Sequence, residues 1–310
     1  MFCGTPEFAV PTLRQLHREK FEIAAVVTQP DRPKGRGLES APSPVKVAAV
    51  ELGLRVEQPE KLKGEAGRAL LERYQPEAVV IVGYGQLIPG DLLVIPRHGW
   101  INLHGSLLPR YRGAAPVQWA LINGETTTGV TTMRIDAGLD TGPIFLQREV
   151  HIRDDDNAVT LAARLAEVGA ELMVETLKGI AAGTLQPQAQ EHTKASKAPL
   201  LKKEHGRLDW SLPARALFNR IRGLVPWPGA YTTFRGQLVH IWRATLAAPE
   251  GAAQVPTPGT MLVEKHALYT ACGSGTWLRL EELQPANRKR LAATDFINGL
   301  HVQPGERFES

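Results

Sequence analysis

The feature that most constrains the fold is an alternation, through the first half of the chain, between short apolar runs and stretches of helical spacing. Phe21–Val27, Ala78–Val82 and Trp100–His104 are the apolar runs, and they stop at Thr28-Gln29-Pro30, Gly83-Tyr84-Gly85 and Gly105. Between them, stretches such as Gly64–Tyr74 set Leu70, Leu71 and Tyr74 at helical spacing. Near-continuous apolar strands separated by helices predict a doubly wound α/β domain with a mostly parallel sheet covered on both faces. The clearest helix spans Ala158–Ala182, with Leu161, Leu165, Val168 and Leu172 on one stripe. Asp156 or Asn157 can cap its start and Gly183 can end it.

After that helix the texture changes. Residues 184–206 are rich in Gln, Lys, Pro and Ala without periodicity and read as a linker. From Arg207 onward, short β-like segments such as Ala230–Phe234, Gln237–Trp242, Ala267–Ala271 and Thr276–Leu280 are separated by Gly-rich turns. One helix, Ala214–Arg222, precedes them. This pattern predicts a small barrel or sandwich. The chain of 310 residues is therefore expected to divide into a first domain over 1–183, a linker over 184–206 and a β-barrel over 207–310.

Composition narrows the class of protein. With 43% hydrophobic and 22% charged residues, the chain can bury a core and is not of disordered type. Cys3 and Cys272 lie at opposite ends of the sequence, so neither a disulfide framework nor metal spacing is expected, and no metal is called for. There is no apolar run of eighteen residues and no basic leader, so the expectation is a cytoplasmic protein with no membrane partner. A monomer is expected as well, although no sequence feature fixes the oligomeric state. Residues 201–310 hold 14 Lys and Arg against 9 Asp and Glu, whereas 1–200 hold 22 against 23. A basic second domain suits a polyanionic partner, although solubility alone also explains such an excess.

In an open parallel sheet, ligands gather beyond the carboxyl ends of the strands, and the unusual residues of this chain are expected there. Gly4-Thr5-Pro6 is a poor dinucleotide fingerprint, so no NAD is expected. Asn102 and His104 are two apart on a strand and share a face. An amide can hydrogen-bond an oxyanion, and an imidazole can donate or accept a proton near neutral pH. Alone, such a histidine is more often a satisfied core residue. Asp140 lies between Gly138 and Gly142 in a loop after Val130–Ile135, where a carboxylate could support the imidazole. An ordinary turn aspartate is the commoner reading of that residue by itself. Arg32, Lys34, Arg36 and Lys46 sit among Pro and Gly over 28–46, which predicts an irregular basic loop able to meet phosphates.

Taken together, Asn102-Leu103-His104-Gly105-Ser106-Leu107-Leu108-Pro109, running on to Gln118, and Gly138-Leu139-Asp140-Thr141-Gly142-Pro143 resemble the folate-dependent formyltransferases. The opening Gly4-Thr5-Pro6-Glu7-Phe8-Ala9, the basic stretch 28–46, and Gly206–Trp210, Pro226–Gly229 and Leu283–Pro285 extend the likeness over nearly the whole chain. The resemblance implies a Rossmann-like formyltransferase domain followed by an OB-like barrel that binds tRNA. It assigns Asn102, His104 and Asp140 to catalysis and Ser106, Leu107, Leu108 and Pro109 to the folate. Arg32, Lys34, Arg36 and Lys46 are assigned to the tRNA, with Arg36 foremost. Candidate phosphate contacts in the second domain are Arg220, Arg222 and Arg288-Lys289-Arg290. The resemblance also leads one to expect a full strand before Gly4, where only Met1-Phe2-Cys3 stand.

The reaction so implied takes 10-formyltetrahydrofolate as donor and the amine of initiator methionyl-tRNA as acceptor. Asn102 and protonated His104 stabilise the oxyanion, and Asp140 supports the charge on His104. A sugar-amine formyltransferase, a 10-formyltetrahydrofolate hydrolase, or a tRNA-binding protein on a decayed enzyme scaffold are the other readings open at this point. Retention of all three polar residues weighs against the last.

Overall fold

The structure is a computed structural model that describes residues 1–34, 39–251 and 256–309. Contacts divide the chain into two compact units. One comprises Met1–Pro116, Thr127–His151 and Ala162–Ala198; the other comprises Val117–Thr126, Ile152–Leu161 and Pro199–Ser310.

The strands of the first unit are β1 (Phe2–Gly4), β2 (Val26–Val27), β3 (Arg32–Lys34), β4 (Glu39–Ala41), β5 (Val56–Glu57), β6 (Val79–Val82), β7 (Trp100–His104), β8 (Thr127–Arg134) and β9 (Ile144–His151). Its helices are α1 (Val10–Arg18), α2 (Pro44–Glu51), α3 (Gly64–Tyr74) and α4 (Gly90–Leu93). Two further helices, α5 (Pro116–Ile122) and α6 (Ala158–Ala181), follow. The seven-stranded sheet has the order β5-β2-β1-β6-β7-β8-β9. From β5 to β7 all pairings are parallel, while β8 pairs antiparallel with both β7 and β9. β1 is short but central, with Phe2 and Cys3 paired to Val26 and Val27 on one side and to Val80 and Ile81 on the other.

Side chains alternate between two buried faces. Cys3, Val27, Val79, Ile81 and Trp100 pack with Leu70, Leu71, Tyr84 and Leu92 in one core cluster. Burying a leucine such as Leu71 contributes roughly 1.5–3 kcal/mol. Ile101 and Leu103 point the other way, and Leu103 lies against Gly169 of α6. The start of α6 is capped by Asn157, whose Oδ1 accepts from the backbone N–H groups of Val159 and Thr160 at 2.9 and 3.0 Å. Gly183, at φ 70°, ends the helix in the left-handed conformation that favours glycine.

The basic stretch needs a correction. Its flanks form a ribbon in which Arg32, Pro33 and Lys34 pair with Ala41, Ser40 and Glu39. Pro33 is tolerated because both strands of a two-stranded ribbon are edges, where a missing N–H costs no ladder bond. Lys46 is not in a loop at all. It stands in the first turn of α2, behind Ser43, whose Oγ accepts the Lys46 backbone N–H at 3.0 Å.

The second unit contains α7 (Ala214–Gly223), then β10 (Ala230–Phe234), β11 (Gln237–Thr245), β12 (Met261–Glu264), β13 (Ala267–Cys272), β14 (Thr276–Pro285), β15 (Leu291–Ala292) and α8 (Ala293–Leu300). The antiparallel order is β10-β11-β14-β13-β12, with β15 on β14. Arg235 and Gly236 both have positive φ, as a tight hairpin turn requires. The C-terminal segment joins the two edge strands. Glu309 N donates to Thr233 O at 2.8 Å, and Met261 N donates to Glu306 O at 2.7 Å. That closure makes the antiparallel sheet a barrel. Inside it Trp210 stacks on Phe308 and donates from Nε1 to Thr232 Oγ1 at 3.0 Å. Thr232 in turn donates to Glu309 O at 2.7 Å. Among the described residues, no helix is long and apolar enough to cross a membrane.

Candidate active site

Strand alternation along β7 sends Ile101 and Leu103 toward the face on which α6 packs and puts Asn102 and His104 together on the other, the face of Trp100. His104 is buried, 6% exposed, and one ring nitrogen is fixed by a hydrogen bond. Nε2 lies 2.9 Å from Tyr111 O. A carbonyl only accepts, so Nε2 carries the proton and donates it. Nδ1 then faces Asp140 Oδ2 at 3.7 Å. The same Oδ2 accepts the Gly113 N–H at 2.8 Å, which pins the carboxylate in place. Asn102 is half-buried, and its amide makes no hydrogen bond to another described residue. The amide is thus left for a ligand, beside an imidazole–carboxylate pair that can hold or pass one proton.

The route by which Asp140 arrives differs from the expectation that every polar motif sits at the carboxyl end of a parallel strand. β8 runs antiparallel to β7, with Arg134 opposite Ile101 and Thr131 opposite His104. Residues 135–143 therefore leave the sheet beside the start of β7, where Ile135 N donates to Trp100 O at 2.8 Å. Four residues of strand, roughly 13 Å, separate that point from His104, so the loop doubles back across the sheet. Gly142 permits this, because a Cβ there would sit 1.8 Å from Arg134 O. Asp136 braces the loop, with Oδ1 accepting from Gly138 N at 3.0 Å and Thr141 Oγ1 at 2.7 Å. Asp140 itself has φ 51°, a left-handed conformation that Asp tolerates better than most residues.

The segment after β7 is fastened from below. Thr131 Oγ1 donates to Ser106 O at 2.6 Å and accepts the Leu108 N–H at 3.1 Å. Gln147 Nε2 donates to Leu108 O at 2.8 Å. Ser106 is fully buried, with its hydroxyl donated to Arg110 O at 2.6 Å, and Leu108 is also buried. Of the four residues expected to meet the folate, Leu107 and Pro109 are the ones partly exposed. Thr5 Oγ1 and Gln29 Nε2 both donate to Tyr84 O, at 3.2 and 3.1 Å, which joins the Gly4-Thr5-Pro6 and Gly83-Tyr84-Gly85 turns.

The basic candidates are placed unequally. Arg32 is exposed on β3, Lys34 ends the same strand, and Arg36 lies outside the described residues. Lys46 is engaged, with Nζ 2.5 Å from Asp31 Oδ2. Asp31 also accepts from Gln58 Nε2 at 2.7 Å, and the lysine and amide together hold its carboxyl below the usual range. In the second unit, Arg220 and Arg222 are spent internally. Arg220 Nε donates to His205 O at 3.0 Å and Arg222 Nη1 to Arg153 O at 2.9 Å. Arg290 lies over Trp242, its guanidinium carbon 3.8 Å from the ring centroid. Gln190, Ser196, Thr131 and Gln147 hold the site's loops and were not singled out by sequence. Gln190 and Ser196 lie in a stretch without periodicity, so no local signal marks them.

Residues 1–177 match the family model described as formyl transferase, and residues 200–301 match the formyl transferase C-terminal domain. A Solibacter usitatus protein named methionyl-tRNA formyltransferase is 53% identical over 307 residues, covering 99% of this chain and 97% of that one. A protein of the same name from Acidobacterium capsulatum is 49% identical over 308 residues, covering 99% and 98%. In fold, the chain is similar to the N-formyltransferase of Helicobacter canadensis crystallised with folinic acid and dTDP-3-aminofucose. The TM-score is 0.67 at 18% identity, over 92% of this chain and 98% of that one.

Proposed function

The chain belongs to the formyl transferase family, and we propose that it moves the formyl group of 10-formyltetrahydrofolate onto the α-amino group of methionyl initiator tRNA, for translation initiation. The observation that carries this reading is the likeness to methionyl-tRNA formyltransferases over 99% of the chain, through both domains rather than the catalytic one alone. In this reading residues 1–183 are the catalytic domain, 184–206 a linker whose part up to Ala198 packs on that domain, and 207–310 the tRNA-binding barrel. A monomer acting in the cytoplasm, where initiator tRNA is used, is part of the same reading.

The folate is a substrate, consumed in each turnover. The neutral amine attacks the formyl carbon, a C–N bond forms and the carbonyl oxygen becomes an oxyanion. Asn102 donates its free amide N–H to that oxygen, and protonated His104 adds a second donor from Nδ1. Collapse breaks the bond from the formyl carbon to the folate nitrogen. The folate nitrogen gains a proton and the new amide loses one, so no net proton is released. The His104–Asp140 pair carries that proton, because Nε2 is already committed to Tyr111 O and Nδ1 is the ring atom free to exchange. Leu107 and Pro109 support the folate, and Arg32, Lys34, Arg36 and Lys46 belong to the tRNA-facing surface. Lys46 must leave Asp31 to take part.

The test is formyl transfer to methionyl initiator tRNA with elongator methionyl-tRNA as control. Rapid labelling of the initiator alone supports the reading. Folate consumption with neither tRNA labelled would refute the acceptor while leaving the chemistry of the site in place.

A further inference from the structure

Gln190 lies on the segment 184–198, outside the polar residues given to the chemistry. It is 6% exposed, yet every hydrogen-bonding position of its side chain is used. Nε2 donates to the backbone carbonyls of Asp140 and Gly142 at 2.9 and 2.7 Å. Oε1 accepts from Arg112 Nε at 3.1 Å and from Arg112 Nη2 at 2.6 Å. An amide offers two N–H donors and two lone pairs, so this one is saturated.

The two stretches that Gln190 joins are the ones that aim the imidazole–carboxylate pair. Arg112 stands between Tyr111, whose carbonyl accepts from His104, and Gly113, whose N–H holds Asp140. Asp140, on the other side of the clasp, has φ 51°, and its carbonyl is one of the two that Gln190 holds. The same segment secures residues 109–115 by backbone bonds: Arg112 N donates to Ser196 O at 2.8 Å and Ala198 N to Arg112 O at 2.7 Å. Tyr111 N donates to Ser196 Oγ at 2.9 Å.

We propose that Gln190 is a positioning residue for formyl transfer. By clasping the Arg112 side chain to the Asp140 loop, it sets the distance between Asp140 Oδ2 and His104 Nδ1. The inference rests on the reading of His104 and Asp140 as the proton-handling pair. An amide that merely filled space would affect stability and leave turnover alone.

Three variants test this in the full chain, with methionyl initiator tRNA as acceptor. Gln190→Leu keeps the volume and removes all four bonds. Gln190→Glu still accepts from Arg112 but turns an oxygen toward two carbonyls. Arg112→Lys removes the fork from the other side and serves if the Gln190 variants do not fold. A misplacement of about 1 Å costs about 100-fold in rate, so kcat of Gln190→Leu and Gln190→Glu is expected to fall by about that factor with the tRNA KM unchanged. Arg112→Lys is expected to lower kcat in the same way by less, again with the tRNA KM unchanged. Unaltered kcat in Gln190→Leu and Arg112→Lys, whatever their melting temperatures, would overturn the proposal. Asp140→Asn, run alongside, separates the two levels. If it too leaves kcat unaltered, the underlying reading of the pair fails. If it alone abolishes turnover, only the clasp does.

Discussion

Among the described residues none bonds the Asn102 amide, and on the proposed reading that amide meets an oxyanion that exists only during reaction. Asn102→Ala is expected to lower kcat by about 100- to 1,000-fold, the cost of one preorganised donor, with little change in tRNA half-saturation. Steady-state kinetics at saturating folate reads this directly. Asp31 gives a second prediction at this scale. Its carboxyl is held low by the Lys46 ammonium and the Gln58 amide. A depressed folded-state value means the pair contributes stability above the unfolded value of about 3.9, lost as pH falls through the folded one. Lys46→Met is expected to raise the Asp31 midpoint toward the ordinary range in an NMR titration, and tRNA binding to the unaltered chain is expected to do the same if Lys46 is recruited. The pairing of Asn102 with His104 was legible in sequence because period-two alternation is a local rule. Gln190 was not, because its three partners, Gly142, Asp140 and Arg112, lie 48 to 78 residues away and leave no local pattern.

Among the elements, those with strong local periodicity stand where the sequence puts them: β7 at Trp100–His104, α3 at Gly64–Tyr74 and α6 one residue short of its expected end. The apolar run Phe21–Val27 shortens to Val26–Val27 as a strand, because its neighbour β1 offers only three residues to pair with. The antiparallel course of β8, the ribbon of β3 and β4, and the bonds made by 184–198 all depend on partners distant in sequence or on the geometry of a turn. The same dependence governs the barrel. Its closure rests on the segment ending at Glu309, anchored by Phe308 against Trp210, Phe234 and Phe296. Phe308→Ala is expected to cost about 3–5 kcal/mol of stability in the second unit, measured by denaturant unfolding of the full chain. A loss below about 1 kcal/mol would show that the segment is not needed for closure.

At the scale of the whole molecule, residues 1–200 have nearly balanced charge and residues 201–310 carry the positive excess. Phosphate contacts give tRNA affinity that falls with salt, whereas the chemistry at β7 depends on geometry within a few ångströms. Salt is therefore expected to raise the tRNA half-saturation more than it lowers kcat. The most direct test of the central claim is the initial rate of formyl transfer from 10-formyltetrahydrofolate to methionyl initiator tRNA by the unaltered chain and by Asp140→Asn. General acid–base assistance is worth about 100- to 10,000-fold, so the unaltered chain should transfer readily and the variant slower by a factor in that range, at unchanged tRNA half-saturation. Equal rates, or no formyl-methionyl-tRNA from the unaltered chain, would contradict it.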